Sequence, residues 1–408
     1  MISLVMTGDD LFGHEDGIYV ISETLQDNED GESSVKKTKN YLQRGADWER
    51  SAAVSIFSAD QTLEVEQNCG ARIQGGKSRN GVRKSFHLYS YAEDGFDTPL
   101  FPDNLNVSGE VITSYKSIVI RNGGNLQSTT VFDDSWIQTM VRELKTDSGR
   151  FRPVILFLNG ELWGCYVLQT DKSAEEIAAR YQVDADQVEI VNRDIIYSTE
   201  DFWEMVQFFM NNSINTQELY ERACDYLDVE AFAEYVATEI YIGNTDWPGN
   251  NYIFFRIRTD KDEGKWRLML YDTDISLGLD EEKGTGSSNT YVWMNVQQVP
   301  INWIFISLMS WKPFREMYLD CCSRVAEIFD PDSAIPLYEA TWNEWQALYR
   351  IARKSNVSCH EESSLLERLQ QVKDFLRGRY LHEGAFDASV VQAAEKGRLE
   401  HYTGTDDD

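Results

Sequence analysis

Apolar and polar positions alternate with a period of two through much of the first 170 residues. Such alternation turns one face of a strand toward a core and the other outward. It predicts strands over residues 2–6, 52–57, 62–66 and 117–121, and on both sides of a glycine-rich loop at 75–81. Gly8-Asp9-Asp10 and Gly13-His14-Glu15-Asp16-Gly17 predict turns, with extended chain resuming at Gly17-Ile18-Tyr19-Val20. Residues 24–47 have no apolar period and predict a mobile surface loop. Residues 154–158 and 162–168 flank Asn159-Gly160, a pair suited to the positive φ values of a tight turn, and predict a hairpin. One helix is predicted among these strands, over 133–144, with Trp136, Met140, Val141 and Leu144 on one side.

Beyond Gln169 the period lengthens to that of a helix. Helices are predicted over 174–181, 200–211, 216–226 and 229–242, the last with Asp228 as its N-cap. Others follow over 302–310, 313–328, 333–351 and 361–380. Between the two groups, residues 252–258 and 266–271 predict a hairpin turning across 259–264. Residues 280–296 predict a polar loop, and the acidic tail a frayed end. The class expected is α+β: a β-rich first lobe over 1–170, a mainly helical second lobe over 171–385 and a polar tail over 386–408.

Composition narrows the partners. The hydrophobic fraction of 42% and aromatic fraction of 12% suit buried cores and exclude a disordered chain. The net charge of −30 argues against non-specific nucleic-acid binding and an anionic membrane surface; it would attract a basic protein partner or simply keep the protein soluble. No hydrophobic run approaches the length of a membrane span. The six cysteines form no CxxC pair, which argues against a zinc site and for free, buried thiols.

Two stretches carry candidate chemistry. In Asn244-Thr245-Asp246-Trp247-Pro248-Gly249-Asn250-Asn251, Asp246 and Asn251 have the spacing that protein kinases use for a catalytic Asp and a metal-binding Asn. Tyr271-Asp272-Thr273-Asp274 then brings two carboxylates on the end of an apolar strand. Strand alternation would point Asp272 and Asp274 to one side, where both could meet a divalent cation. Earlier, Arg72, Lys77, Arg79 and Lys84 surround Gly75, Gly76 and Gly81. Such a loop can cradle phosphates with backbone N–H groups and positive charge. Each stretch also has an ordinary reading: a capped turn, a solvated acidic loop, a basic hairpin tip.

Taken in order, these residues resemble the CotH family of atypical protein kinases, a spore-coat group. The resemblance runs through Ile2-Ser3-Leu4 and Gly17-Ile18-Tyr19-Val20, then Arg72-Ile73-Gln74-Gly75-Gly76 with Ser78-Arg79 and Lys84-Ser85-Phe86. It continues through Arg121-Asn122-Gly123-Gly124-Asn125 and Phe157-Leu158-Asn159-Gly160-Glu161-Leu162-Trp163-Gly164 to the two acidic stretches and Gly278. It spans roughly residues 1–325. It implies a bilobal kinase-like fold, ATP with Mg²⁺ or Mn²⁺, and phosphate transfer to Ser or Thr of a protein, expected to be Lys/Ser-rich and basic. It implies Asp246 as the catalytic residue, and Asn251, Asp272 and Asp274 at the metal. Arg72, Gly75, Gly76, Ser78, Arg79 and Lys84 would hold the nucleotide. Thr170 stands where many relatives have Glu. A kinase-fold binding module without catalysis, and transfer to a non-protein acceptor, stand beside this reading as alternatives. Compartment and oligomeric state are open.

Overall fold

The computed structural model describes residues 1–27, 33–193, 200–259, 264–357 and 360–399. Helix makes up 43% and strand 23%, which is the mixed α+β class. The chain forms two compact units, each assembled from separated stretches. The first comprises Met1–Phe132, Arg150–Gln182 and Asn343–Leu365; the second comprises Asp133–Gly149, Val183–Trp342 and Leu366–Asp408. The chain thus crosses between units several times, where the sequence suggested one break near residue 170.

The first unit is built on a closed barrel of seven strands, which the period-two pattern did not reveal. Its members are β1 (Ile2–Met6), β4 (Arg50–Phe57), β5 (Leu63–Gln74), β6 (Ser85–Ser90), β9 (Ser117–Arg121), β10 (Phe151–Leu158) and β11 (Glu161–Thr170). The order around the barrel is β1-β10-β11-β9-β6-β5-β4. Closure depends on β1: it lies parallel to β10, with Ile2 opposite Leu156, and antiparallel to β4, with Ile2 opposite Ile56. A closed ring leaves no strand edge exposed. Alternate residues, among them Leu4, Val54, Ile56, Leu88, Ile118, Ile120, Leu156 and Leu168, fill the interior. The β10–β11 hairpin turns on Asn159 (φ 50°) and Gly160 (φ 83°), as the dipeptide predicted. Asn159 also ties the hairpin to β1, since its Oδ1 accepts from the Met6 amide at 2.8 Å.

Three local expectations for this unit fail, one of them at residues 17–20, which form a turn and bend before the next strand rather than extended chain. The segment predicted as a mobile loop holds the antiparallel ribbon of β2 (Ile21–Asp27) and β3 (Ser33–Lys39), followed by short 3-10 turns at Asn40–Leu42 and Ala46–Trp48. The pairing uses backbone groups, so it needs no apolar alternation; residues 28–32 lie outside the description. The turn expected after β1 is a short helix, Gly8–Phe12, whose N-cap Thr7 accepts from the Asp10 amide at 3.0 Å. A small strand pair, β7 (Phe96–Asp97) with β8 (Ser114–Tyr115), completes the sheet structure of this unit.

The second unit centres on the helix Val229–Ile242. Every residue of it but Glu230 is buried, which marks a core helix rather than a surface one. Asp228 caps its start, accepting from the Ala231 amide at 3.3 Å, and Gly243 ends it in the left-handed conformation, φ 69°. Helices Glu200–Asn211, Gln217–Tyr226, Pro300–Met309 and Lys312–Ile328 belong to the same unit. Its sheet has the order β12 (Val188–Asn192), β13 (Ile253–Ile257), β14 (Arg267–Met269), all antiparallel. The predicted hairpin is β13–β14; its tip at 260–263 lies outside the described residues, as do Cys359 and the tail from 400. The stretch expected to be a polar loop contains the helix Thr290–Asn295, capped by Asn289 Oδ1 on the Tyr291 amide at 3.1 Å. The last helix runs from Glu362 to Glu395, well past its predicted end. Among the described residues no helix is long and apolar enough to cross a membrane. The five described cysteines are free, and all but Cys224 are buried.

Candidate active site

The core helix Val229–Ile242 delivers the chain directly into the acidic stretch. After the Gly243 cap, Asn244 is fully buried and its Oδ1 accepts from the Asp246 amide at 3.2 Å. The half-buried Asp246 is gripped through both carboxylate oxygens. Asn250 Nδ2 donates to Oδ1 at 2.9 Å and Asn251 Nδ2 to Oδ2 at 3.1 Å. The same Asn251 nitrogen reaches the backbone carbonyl of Asp272 at 3.1 Å. One amide therefore joins the two stretches that the sequence singled out. Trp247 is fully buried and meets Tyr235 edge-on at 6.1 Å, anchoring the middle of the loop in the core.

Asp272 does not continue a strand. β14 stops at Met269, and both Asn251 (φ 57°) and Asp272 (φ 55°) adopt left-handed backbone. This conformation is uncommon for residues other than Gly and marks a constrained site. The alternation argument that set Asp272 and Asp274 on one side therefore lapses. Asp272 is half-buried, whereas Asp274 is buried to 2% exposure.

Two buried carboxyls underlie these limbs. Glu239, on the core helix, accepts from Asn244 Nδ2 at 2.9 Å. Burial raises its carboxyl to about 8, opposed by hydrogen bonds from Asn244 and Tyr235 and reinforced by Asp134. Asp134, on the helix Asp133–Met140, receives the Thr273 amide at 2.9 Å and the Thr273 hydroxyl at 2.8 Å, between the two acidic residues. Downstream, Arg368 of the last helix donates to the carbonyls of Ser276 at 3.0 Å and Leu277 at 3.2 Å and pairs with Asp133 at 2.8 Å. Glu239, Asp134 and Arg368 were invisible to sequence reading. Single charged residues within helices carry no motif, and only the fold shows what they touch.

The glycine-rich loop belongs to the first unit, between β5 and β6. Gly75 has φ 112°, which requires glycine. The cations assigned to phosphate already have partners within the protein. Arg72 forms a two-pronged pair with Glu49 at 2.6 and 2.9 Å and lies over the Tyr89 ring. Arg79, buried, donates to the carbonyls of Gly75 at 2.7 Å, Gln43 at 2.7 Å and Tyr41 at 3.2 Å. Lys84, also buried, donates to Arg79 and Gly81 carbonyls at 2.8 and 2.9 Å, with its ammonium 3.8 Å from the centre of the Tyr41 ring. Burial, then the charge of Lys39, lowers Lys84 to about 8. Arg79 and Lys84 shape the loop, and Arg72 is committed to Glu49 beside it. Gly76 and Lys77 are its exposed apex, and Ser78 lies half-buried behind it, its hydroxyl against Gly75. Thr170 accepts from the Arg150 amide at 3.1 Å. The carboxylate at this strand end is the next residue, Asp171. Burial pushes it up, but His87 at 3.1 Å and the Ser117 hydroxyl at 2.6 Å outweigh that and hold it at about 2.

The donor chemistry fits a hard cation. Asn251 Nδ2 is used twice, while nothing among the described residues donates to its Oδ1. Among the described residues no three His, Cys, Asp or Glu side chains converge on one point. A magnesium ion shared with phosphates needs only one or two protein carboxylates, so that requirement is not imposed here. A cavity of about 430 Å³ opens nearby, lined by Met210, Asn211, Asn295, Gln298, Asn302 and Trp303 among others, none of them charged. Gln297, between two of its lining residues, lies against Gly249 of the acidic loop.

The site thus comprises an amide-gripped Asp, tied across a hairpin to the backbone of a second Asp and backed by buried carboxyls. The family model described as CotH kinase protein matches residues 71–382, and the chain belongs to that family. The match starts later than the resemblance over residues 1–325 and ends further on, taking in Arg368 and the last helix as far as residue 382. Membership carries a kinase-like function. Comparison with curated proteins finds no match.

Proposed function

We propose that this chain is an ATP-dependent protein kinase that transfers phosphate to Ser or Thr hydroxyls of a basic protein, with the two units serving as the lobes of a kinase-like fold. The observation that carries the reading is the bridge from Asp246 through Asn251 to Asp272. Phosphoryl transfer asks a protein chiefly for positioning and charge neutralisation. Asp246, held at both oxygens, keeps a fixed direction from which to orient an acceptor hydroxyl and take its proton. Asn251 Oδ1 and the Asp272 carboxylate are the hard oxygens that would hold Mg²⁺ or Mn²⁺, with Asp274 as a further ligand or a support behind them. When bound, the ion would neutralise charge on the transferred phosphoryl group. At the glycine-rich loop, the backbone of Gly75, Gly76 and Ser78 and the exposed Lys77 would meet phosphates. Arg79 and Lys84 hold that loop in shape, and Arg72 pairs with Glu49.

The commitment of those three cations favours a second reading, a family member that binds partners without catalysis. Labelled ATP with Mn²⁺ or Mg²⁺ and a Lys/Ser-rich basic protein separates the two. The kinase reading expects label on Ser or Thr, lost in Asp246→Ala and Asp272→Ala. It also expects a thermal shift with ATP and metal that survives Asp246→Asn but not Asp272→Ala. Absence of both transfer and thermal shift would overturn it, and transfer surviving Asp272→Ala would overturn the site.

A further inference from the structure

We propose that Glu239 is a positioning residue, a buried carboxyl that sets the direction of Asp246 through Asn244. Its place in catalysis rests on the phosphoryl-transfer reading; its hold on the loop does not. The chain of contacts is continuous. Glu239 lies fully buried one turn before the end of the core helix and receives Asn244 Nδ2 at 2.9 Å. The Asn244 backbone amide returns to the Glu239 carbonyl at 3.2 Å, so the residue is fixed at two points. Asn244 Oδ1 then receives the Asp246 amide at 3.2 Å. With the Nδ2 spent on Glu239, the Oδ1 has only one orientation available, and that orientation places the Asp246 backbone.

The titratable groups facing Glu239 are Tyr235 of its own helix and Asp134 of the neighbouring one. Asp134 holds the other limb through Thr273, so the two acids divide the work: one supports Asn244–Asp246 and the other supports Asp272–Asp274. A charge buried in a dry core is costly, and the field of Asp134 adds to that cost at Glu239. A proton on Glu239 removes the cost and leaves its other oxygen as acceptor for Asn244. As its proton is lost near pH 8, a negative charge enters the space beneath the loop. The loop should loosen there while the glycine-rich end is untouched.

The test compares wild type, Glu239→Gln and Glu239→Ala in the full chain. The first readout is amide hydrogen exchange over residues 244–251 from pH 6.5 to 9.5, corrected for intrinsic rates; the second is kcat and KM for ATP. Gln can still accept from Asn244 but cannot ionise. Protection in the wild type is expected to fall as pH passes about 8, whereas Glu239→Gln stays level. Glu239→Ala should lose protection at every pH. Its kcat should drop by about tenfold to a hundredfold with KM for ATP little changed, because misdirected catalytic groups cost rate rather than nucleotide binding. An alkaline fall in protection shared by wild type and Glu239→Gln would overturn the proposal. So would an alanine variant with wild-type kcat and protection. Should Glu239→Ala fail to fold, the Gln comparison still decides. Should the wild type transfer no phosphate, the kinase reading falls while the exchange data still judge Glu239.

Discussion

Asn251 joins the two acidic stretches with one side chain. Its Nδ2 serves Asp246 and the Asp272 carbonyl together, at 3.1 Å each, from a left-handed backbone that Asn tolerates better than most residues. Asn251→Asp keeps the size and the backbone preference but replaces the donor by a second carboxylate facing Asp246. Two acceptors lose their donor, at a cost of about 1–3 kcal/mol, and like charges are forced together. The expected result is loss of phosphate transfer with faster amide exchange confined to 244–251 and 271–274. An Asn251→Asp variant with unchanged exchange there would show that the bridge does not hold the two stretches together. At the other end, Lys84 and Arg79 show why residue type alone misleads. A glycine-rich loop with cations suggests phosphate, yet these two donate to the loop's own carbonyls, because bending such a loop leaves backbone acceptors that need partners.

At the scale of elements, the last helix decides how the acidic hairpin is held. Arg368 is 3% exposed and Asp133 is 1% exposed, so their 2.8 Å pair is a buried one, completed by the Tyr338 hydroxyl on Asp133 at 2.7 Å. Breaking a buried pair from one side strands a charge. Arg368→Leu should therefore destabilise by about 3–5 kcal/mol, read from denaturant unfolding. Adding Asp133→Leu should recover part of that loss, since the stranded charge goes with it. A single variant as stable as wild type would mean the arginine merely fills space. This part of the site was illegible in the sequence, for a physical reason: an Arg in a charged helix looks the same whether it faces water or the core. What was legible followed from local rules. Asn159-Gly160 turns a hairpin whatever surrounds it, and Asp228 caps the core helix from a sequence-adjacent position. Asp246, Asn251 and Asp272 could be chosen as candidates by spacing, and the fold brings them together. Barrel closure, by contrast, hangs on β1 meeting β10 and β4 far along the chain, and no local pattern carries that pairing. The ribbon of β2 and β3 was missed because backbone pairing leaves no apolar period to read.

Over the whole molecule, charge is the property that reaches beyond contacts. A net charge of −30 on 408 residues gives a field that attracts cationic partners over distances up to about a Debye length. The cavity beside the acidic loop has no charged lining residue, so attraction of a basic partner cannot be assigned to pairing within it. Long-range steering acts on the encounter rate and falls as salt screens it, whereas short-range pairing in a closed pocket resists screening. For a kinase of a basic protein, raising salt from about 50 to about 500 mM should therefore lower kcat/KM by about tenfold or more. The loss should sit in KM, with kcat at saturating substrate retained. A neutral Ser-containing peptide should change little over the same range. Equal salt sensitivity for the two acceptors would place the effect on the nucleotide and metal instead. Insensitivity of both would leave the acidity with the ordinary task of keeping the protein soluble.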